Sequence, residues 1–409
     1  MNGSLKTLDT PHIANPPHQE TVMESYRIAL FVIALVAAFA PLLARLPTRL
    51  RMPVVVVEML LGMLIGPHIF NWVSPDGLVG MLGELGLTFL LFMVGIEINL
   101  GEIHGKPLAL AIGGWFLSFT VAMVCMFFVH AIGLIQAPPL LAAIALSTTA
   151  LGILAPILRD EGILNSDFGK LLLSAAAMGE FGPLMVVSLL IIPTHSTFLH
   201  TVFIVAFVGI TFVIADTAIN ARSSALINLL AQTMQSSGQL PVRICIALQA
   251  LLVVLAGEFG LNVVIGAFAA GMVVSLASQG DHGVILRQKL DAIGYGFLIP
   301  IFFIVSGMKF DVSALWANPL VPVQIICLLG LLILIRGAPI LLYHQVLSKK
   351  DRLPFALYSA TGLPMIVVIT EMGVSSGLMS PDRAAVLVSA AMVSVLLFPL
   401  LAERIRVHS

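Results

Sequence analysis

The segments STTALG at residues 147–152 and SATGLP at residues 359–364 are the most informative parts of this sequence. Both lie within long apolar runs, and each places hydroxyl side chains beside glycine or proline, where a straight membrane helix prefers leucine or valine. Such a composition is typical of a helix interrupted in mid-membrane, whose freed backbone groups and half-helix dipoles can face an ion. Close packing of neighbouring helices against small residues would favour the same composition, so both explanations stay open at this point.

The composition around these segments indicates a polytopic membrane protein. Of the 409 residues, 59% are hydrophobic and only 10% are charged, and the mean hydropathy is +1.06. A soluble domain has about 25% charged residues, so this chain has too few charges to cover a surface that faces water. The formal net charge of −1 provides no basic field for nucleic acid. The three cysteines lie in apolar runs and predict neither a disulfide framework nor a thiolate metal site.

Apolar runs of bilayer-crossing length, roughly 20 residues, occur about thirteen times. We therefore predict an all-α membrane protein with spans at 24–45, 53–70, 80–98, 107–132, 138–158, 167–193, 200–221, 241–258, 260–279, 290–308, 319–344, 354–374 and 381–403. The predicted domains are a polar N-terminal tail (1–23), a first repeat (24–193), a linker helix (200–221), a second repeat (241–403) and a cytoplasmic tail (404–409).

An internal repeat relates the two halves of the chain. The two opening segments lie 212 residues apart, and the same offset relates residues 91–99 to residues 303–311. A further match, between 174–178 and 389–392, has an offset of 214 to 215 residues. Because 212 residues correspond to seven predicted spans, an odd number, the two copies have opposite orientations in the membrane. The sequence therefore predicts an inverted repeat, which is common in secondary transporters.

Basic residues are distributed unequally between the two predicted sides of the membrane. Of the 20 lysines and arginines, 15 follow odd-numbered spans or lie at the C-terminus, four lie on the opposite side, and Arg336 lies within a span. Cytoplasmic loops carry the excess of basic residues in membrane proteins. We therefore expect the N-terminus outside and the C-terminus in the cytoplasm.

Glu180 and Arg336 are the ionisable residues predicted to lie deepest in the membrane. Glu180 is at the midpoint of the span 167–193, and Arg336 is five residues from the centre of the span 319–344. Charges at this depth are costly and mark ion or substrate sites. A carboxyl group removed from water can hold either a proton or a bare cation, so one such group suffices for exchange. Other carboxylates, Glu97 among them, fall near span ends, where water or headgroups can solvate them.

Arg336 carries a permanent charge, and the sequence leaves two roles open for it. It either pairs with Glu180 in one state or acts as a counter-charge to the C-termini of the broken helices. No P-loop, dinucleotide fingerprint, nucleophile elbow or zinc-ligand spacing occurs in the chain. We therefore predict a protein that is not an enzyme and that uses neither a cofactor nor a metal centre.

Four motifs lie on the spans expected for one known family: GMLIGP at 62–67, FLLFMVGIE at 89–97, GAFAAG at 266–271 and FFIVSGM at 302–308. Together they resemble the monovalent cation:proton antiporter-2 family, the Kef-type branch of the sodium/proton exchanger superfamily. The resemblance covers residues 24–403. It implies thirteen spans, arranged as a dimerisation domain and a six-helix core domain that contains two crossed, broken helices.

The resemblance also implies the location of the site. The broken helices are the spans that contain Ser147, Thr148 and Thr149 in one repeat and Thr361, Gly362 and Pro364 in the other. The acidic cation-binding motif of the family falls on Gly179-Glu180, and its basic residue falls on Arg336. The motif is usually Asp preceded by Asp, Asn or Gln. Here Gly179 removes a ligand, and Glu180 reaches one methylene further than aspartate.

These observations predict a secondary transporter that exchanges protons for Na⁺ or K⁺ by alternating access and serves pH homeostasis. With one carboxylate as carrier, one proton replaces one monovalent cation, so exchange is expected to be electroneutral. The resemblance implies a homodimer through the first and eighth spans, in the inner membrane of a bacterial cell. Two alternatives remain: a carrier of another solute such as an organic anion, with Arg336 as its main ligand, or an ion channel, for which no selectivity-filter motif is present.

Overall fold

The computed structural model describes residues 17–45, 53–97, 106–164, 166–190, 197–220, 233, 236, 238–259, 261, 263–278, 281–310 and 319–407. All regular structure within these residues is helical. The helices are α1 (Pro17–Ala44), α2 (Val54–Ile65), α3 (Gly77–Glu97), α4 (Lys106–Ala131), α5 (Pro139–Leu146), α6 (Leu151–Asp160), α7 (Asp167–Leu190), α8 (Thr197–Asn220), α9 (Leu240–Glu258), α10 (Val263–Ala277), α11 (Asp281–Ile293), α12 (Ile299–Met308), α13 (Val321–Gly337), α14 (Ile340–Tyr343), α15 (Arg352–Ser359), α16 (Leu363–Ser375) and α17 (Pro381–Val407). A π-helical turn, Gly294–Leu298, joins α11 to α12.

Within the described residues, nine helical stretches are long and apolar enough to cross a membrane, and four shorter apolar helices accompany them. Large apolar side chains such as Phe31, Phe127 and Phe212 are mostly exposed, which suits a surface in contact with lipid. The predicted all-α polytopic membrane fold is confirmed, whereas the count of thirteen spans stays a prediction.

The first and last helices extend beyond the apolar runs that predicted them. Helix α1 begins at Pro17 and α17 ends at Val407, so the predicted tails 1–23 and 404–409 are partly helical. An apolar run marks only the part of a helix that matches the hydrocarbon core. Backbone hydrogen bonding continues into polar residues that water can solvate, so helix ends and membrane boundaries need not coincide.

Two helices are interrupted at the segments from which the sequence predicted a break. The first break separates α5 from α6 at residues 147–150, and the second separates α15 from α16 at residues 360–362. Pro364 lies in the first turn of α16, where the missing N–H of proline costs no hydrogen bond, and Gly362 caps that turn. The interruptions are confirmed. The crossing of the two helices, which the resemblance implies, stays a prediction.

The helices pack into two groups. The scaffold group consists of α1 to α3 and α9 to α12, and the core group consists of α4 to α7 and α13 to α17; α8 packs against α9 and α10 of the scaffold group. Packing is extensive within each group, for example between α3 and α10 or between α4 and α7. Fewer contacts join the groups, among them contacts of α3 with α6 and of α10 with α7. The interface between the two groups is therefore smaller than the packing within either group.

Glycines in the family-like motifs allow the scaffold helices to approach closely. A Cβ atom added to Gly95 of α3 would lie 3.0 Å from the Cα of Gly271 of α10, and one added to Gly271 would lie 2.9 Å from the Cα of Gly95. Such contacts are shorter than real Cβ contacts, so a larger residue would force the helices apart. Small residues at crossings are the usual means of tight packing in membranes. These motif glycines therefore build the scaffold rather than the site.

Candidate functional site

The two helix breaks contact each other inside the core group. The N–H of Ala150 donates to the carbonyl of Thr361 with an N–O distance of 2.6 Å, and the hydroxyl of Thr149 donates to the carbonyl of Ser359, also at 2.6 Å. Backbone groups freed at membrane depth must find partners inside the protein. These hydrogen bonds between the two repeats supply such partners. They also hold the two breaks in a defined position relative to each other.

Three hydroxyl groups of the breaks are fully buried and donate to carbonyls of their own half-helices. The hydroxyls of Ser147, Thr148 and Thr361 each donate to the carbonyl three residues earlier, at distances of 2.6 to 2.8 Å. A hydroxyl that donates its proton retains lone pairs on its oxygen. The breaks therefore contain oxygen atoms that can serve as neutral ligands for a cation.

Glu180 of α7 lies at the N-terminus of α6. Its Oε1 atom accepts a hydrogen bond of 2.9 Å from the N–H of Leu151, the first residue of α6, and the N–H of Gly152 also faces the carboxylate. Glu180 is only 2% exposed, and its Oε2 atom has no partner among the described residues. The positive end of a helix dipole favours a negative charge here. The second oxygen can chemically accept a proton or contact a cation.

Arg336 contacts the C-terminus of the other broken helix. Its Nε–H donates to the carbonyl of Ser359, the last residue of α15, and an Nη1–H donates to the hydroxyl of Ser118, both at 3.2 Å. In the described part of the chain no carboxylate forms an ion pair with it. Of the two arrangements that the sequence left open, this conformation has the counter-charge at a half-helix C-terminus, which its dipole favours.

The surroundings of Gly179, the position at which this chain departs from the family motif, leave little room for a side chain. A Cβ atom at this position would lie 2.9 Å from both Cβ and Oγ1 of Thr149 and 3.0 Å from Nη2 of Arg336. Aspartate or asparagine would therefore require the break or the guanidinium to shift. The N–H of Thr149 donates to the carbonyl of Gly179 at 3.2 Å, which further limits the room for a side chain.

A small cavity borders Arg336. It is lined by Trp115, Tyr343 and Ser359, among others, and offers about 10 Å³ for the centre of a water-sized particle. The indole N–H and the two hydroxyls have no partner among the described residues. Such a volume holds about one water molecule. In this conformation it is too small for an organic anion.

The residues around Arg336 were not found from the sequence. Trp115 and Tyr343 lie in apolar runs, where an aromatic side chain is expected to face lipid or core, and Ser118 has no motif around it. Ser359 does belong to the repeated segment 359–364, and this repeat was the one sequence signal that could have identified Ser359 as part of the site. The predicted residues Thr148, Thr149, Thr361 and Gly362 do meet at the breaks, since the hydroxyl of Thr148 lies 3.4 Å from the carbonyl of Gly362.

The chain belongs to the sodium/hydrogen exchanger family. The family described as "Sodium/hydrogen exchanger, transmembrane" matches residues 33–403. This family consists of transporters, not enzymes, and it confirms the resemblance to monovalent cation:proton antiporters. The protein is an integral membrane protein.

Individual relatives cover the chain to different extents. The Na(+)/H(+)-K(+) antiporter GerN of Bacillus cereus is 25% identical over 90% of this chain and 94% of its own length. YjbQ of Bacillus subtilis is 26% identical over 91% of this chain, which spans only 62% of that relative. The structure of the sodium proton antiporter MjNhaP1 from Methanocaldococcus jannaschii at pH 8 matches with a TM-score of 0.63, 15% identity and coverage of 94% of this chain and 99% of that one. The similarity to MjNhaP1 shows a shared fold.

Proposed function

We propose that this protein is a secondary active transporter that exchanges protons for Na⁺ or K⁺ across the membrane by alternating access. The buried carboxylate of Glu180 carries the proposal, because one of its oxygens accepts a hydrogen bond from the N–H of Leu151 and the other has no hydrogen-bond partner in the described part of the chain. Family membership supports exchange of this kind, and the relative GerN is named an antiporter for Na⁺, H⁺ and K⁺.

The coupling follows from the cost of a bare charge. A carboxylate in a low-dielectric interior is unfavourable unless a proton or a cation neutralises it. The core group can therefore move across with Glu180 protonated or with Glu180 holding a cation, but not with the bare carboxylate. Hydroxyl oxygens of Thr148 and Thr149, and backbone carbonyls at the breaks, would complete the shell of oxygen ligands that replaces water around the cation.

Glu180→Gln tests the assignment directly. The amide cannot release a proton or bind a cation through a charge, yet it keeps the shape of the side chain and an acceptor for Leu151. We expect the variant to insert and assemble normally but to show no exchange in proteoliposomes that contain a pH-sensitive dye. Glu84→Gln, an exposed carboxylate of α3, serves as a matched control and should retain wild-type exchange. Wild-type dissipation of the pH gradient by Glu180→Gln would overturn the proposal.

We further propose that exchange is electroneutral, because Glu180 is the single carrier carboxylate and exchanges one proton for one monovalent cation. An imposed potential of about 100 mV acts with about 2.3 kcal/mol on each net charge that crosses. At a fixed pH gradient, the rate should therefore be the same with and without this potential. Acceleration by a potential of either sign would show that a second group also titrates during transport.

The same proteoliposomes can distinguish antiport from two rival functions, an organic-anion carrier and an ion channel. Pulses of Na⁺, K⁺ and Li⁺ given in turn should each be tested for a change of internal pH, and at least one should produce it. A response to an organic anion instead would favour the carrier in which Arg336 is the main ligand, although the cavity beside Arg336 is too small for such a solute in this conformation. Single-channel currents would favour the ion channel.

We also propose that two copies associate through α1 and α9, the predicted first and eighth spans, in the inner membrane of a bacterial cell with the N-terminus outside. Apolar residues such as Phe31, Leu42 and Val254 are largely exposed on these helices and provide a surface for such an interface. Cross-linking of cysteines introduced at Phe31 and Val254 in native membranes should yield a dimer. A monomer alone, in lipid and in mild detergent, would contradict the proposal.

A further inference from the structure

Three buried polar groups without partners line the cavity beside Arg336. They are the indole N–H of Trp115 in α4 and the hydroxyls of Tyr343 in α14 and Ser359 in α15. Each of these three residues is at most 4% exposed. A buried polar group that lacks a hydrogen bond is destabilising, and native proteins contain few of them. Three such groups at one cavity therefore indicate that the cavity binds a ligand that satisfies them.

Arg336 brings a permanent positive charge to the same cavity. The residue is 2% exposed, and no carboxylate pairs with it in the described part of the chain. Its hydrogen bonds to Ser359 and Ser118 reach neutral oxygens, and Gly179, which lies beside its Nη2 atom, has no side chain to supply a counter-charge. Burial of an unpaired ion costs more than a helix dipole returns. The guanidinium therefore favours a negative charge in the cavity.

The hydrogen-bonding capacity of the lining groups favours an anion over a water molecule. The indole of Trp115 can only donate, and the hydroxyls of Tyr343 and Ser359 also have protons to donate. None of the three has an acceptor among the described residues. A water molecule accepts two hydrogen bonds and would leave at least one of these donors unpaired. An anion can accept from all three donors, and hydrogen bonds to an ion are the stronger kind.

The size of the cavity limits this anion to a single atom. About 10 Å³ is open to the centre of a water-sized particle, so the cavity holds about one water molecule. Because this volume describes positions of the centre alone, it leaves room for a slightly larger sphere. A chloride ion is only slightly larger than a water molecule, whereas phosphate, sulfate and carboxylates have several heavy atoms. Chloride is therefore the physiological anion that suits the cavity best.

We infer that the cavity lined by Arg336, Trp115 and Tyr343 binds one chloride ion as the counter-ion of the guanidinium. Every lining residue belongs to α4, to α7 or to the segment from α13 to α15, and all of these are parts of the core group. The chloride therefore stays with the core group and is not exchanged. The inference goes beyond the proposed function, in which protons and Na⁺ or K⁺ are the ions that cross.

Thermal unfolding of the purified protein in detergent tests the chloride site. Chloride replaces gluconate at constant Na⁺ concentration and constant ionic strength. A ligand that binds only the folded state raises the melting temperature, so we expect a saturable rise of a few degrees, which bromide should reproduce. Loss of one hydrogen bond to an ion weakens binding at least about tenfold. Tyr343→Phe and Ser359→Ala should therefore each raise the half-saturating chloride concentration at least about tenfold.

A matched control separates the site from a general effect of salt. Ser394 is a buried serine of α17 in the same helix group, its hydroxyl donates to the carbonyl of Ala391, and it does not line the cavity. Ser394→Ala should keep the full response to chloride. If Tyr343→Phe or Ser359→Ala fails to fold, the other variant decides. A melting temperature that ignores chloride, or an equal response in wild type and both cavity variants, would overturn the inference.

Two further measurements distinguish a resident ion from a transported one. Radioactive chloride should bind to the purified protein with one ion per chain, and it should not accumulate in proteoliposomes during cation exchange. Accumulation driven by the protein would contradict a counter-ion that stays with the core group. Glu180→Gln should lose exchange but keep the response of the melting temperature to chloride. The proposed function therefore fails separately, through exchange that persists in Glu180→Gln.

Discussion

Replacement of Gly179 by alanine tests whether the tight packing at the first helix break governs exchange. The added Cβ would lie 2.9 Å from the Cβ and Oγ1 atoms of Thr149 and 3.0 Å from Nη2 of Arg336. Carbon atoms in favourable contact are about 3.5–4.0 Å apart, so Thr149 has to move by at least about half an ångström. Thr149 is held from two sides, because its N–H donates to Gly179 and its hydroxyl donates to Ser359.

The expected energetic cost of Gly179→Ala combines two destabilising effects with one stabilising effect. Overpacking of an interior costs about 1–3 kcal/mol, and a weakened hydrogen bond between Thr149 and Ser359 costs about 1 kcal/mol more. Alanine regains about 1 kcal/mol because its helix propensity is higher than that of glycine. The net penalty is therefore about 1–3 kcal/mol. Imposed on the geometry that binds the cation, it lowers the exchange rate by a factor of about 5 to 150.

The assay combines exchange in proteoliposomes with thermal unfolding in detergent. Gly179→Ala should reduce the initial rate of pH-gradient dissipation at least about fivefold, with only a modest decrease in melting temperature. Gly330→Ala in α13, the helix of Arg336, is the matched control, since nothing lies within 4 Å of a Cβ atom added there. An exchange rate of Gly179→Ala within twofold of wild type would refute the view that this packing positions the site.

Two further predictions concern contacts outside the site. Lys309, which follows α12, forms an ion pair with Glu371 of α16, and this pair joins the two helix groups. An exposed ion pair contributes at most about 1 kcal/mol. Glu371→Gln should therefore shift the conformational equilibrium, and with it the exchange rate, by up to about fivefold. High salt should reproduce this change in wild type but not in the variant, and a salt effect equal in both would contradict the prediction. Burial raises the pKa of Glu161, which accepts a 2.6 Å hydrogen bond from the hydroxyl of Tyr358. The folded state therefore binds this proton more tightly than the unfolded state, so melting temperature should fall as the pH rises above about 4.5. Glu161→Gln should remove this part of the pH dependence, and an identical profile in both proteins would exclude Glu161 as its source.

The sequence predicted those parts of the fold that depend on local composition. Hydroxyl, glycine and proline residues clustered within an apolar run favour an interruption of the helix, and the structure has breaks at both segments that the sequence singled out. The place of Glu180 at the centre of an apolar run predicted a residue removed from water, and Glu180 is buried; its depth in the membrane stays a prediction. Both predictions needed only the hydrogen-bonding rules of a backbone in lipid and the length of a span.

The parts that the sequence did not reveal depend on which helices become neighbours. Glu97 lies at the end of a span, where water can solvate a carboxylate, yet the π-helical turn brings Tyr295 to it across about 200 residues of sequence. Gly294 and Gly296 flank Tyr295 but do not by themselves predict such a turn. The direction of the Arg336 side chain was equally open, because its partners Ser118 and Ser359 belong to two other helices, 218 and 23 residues away in sequence.

The separate environments of Arg336 and Glu180 bear directly on coupling. If the guanidinium paired with the carboxylate throughout the cycle, Glu180 would be neutral without any cargo, and the core group could cross empty. In this conformation Arg336 is bound to the C-terminus of α15 instead, while the N–H groups of α6 are the support that the described residues give to Glu180. Those dipoles stabilise a negative charge by at most about 2 kcal/mol, which is less than the several kcal/mol that burial of an unpaired ion costs. Under the proposed mechanism, Glu180 would therefore still require a proton or a cation before it could cross, and the glycine at position 179, which leaves room for Arg336 beside Thr149, would help to keep that requirement in place.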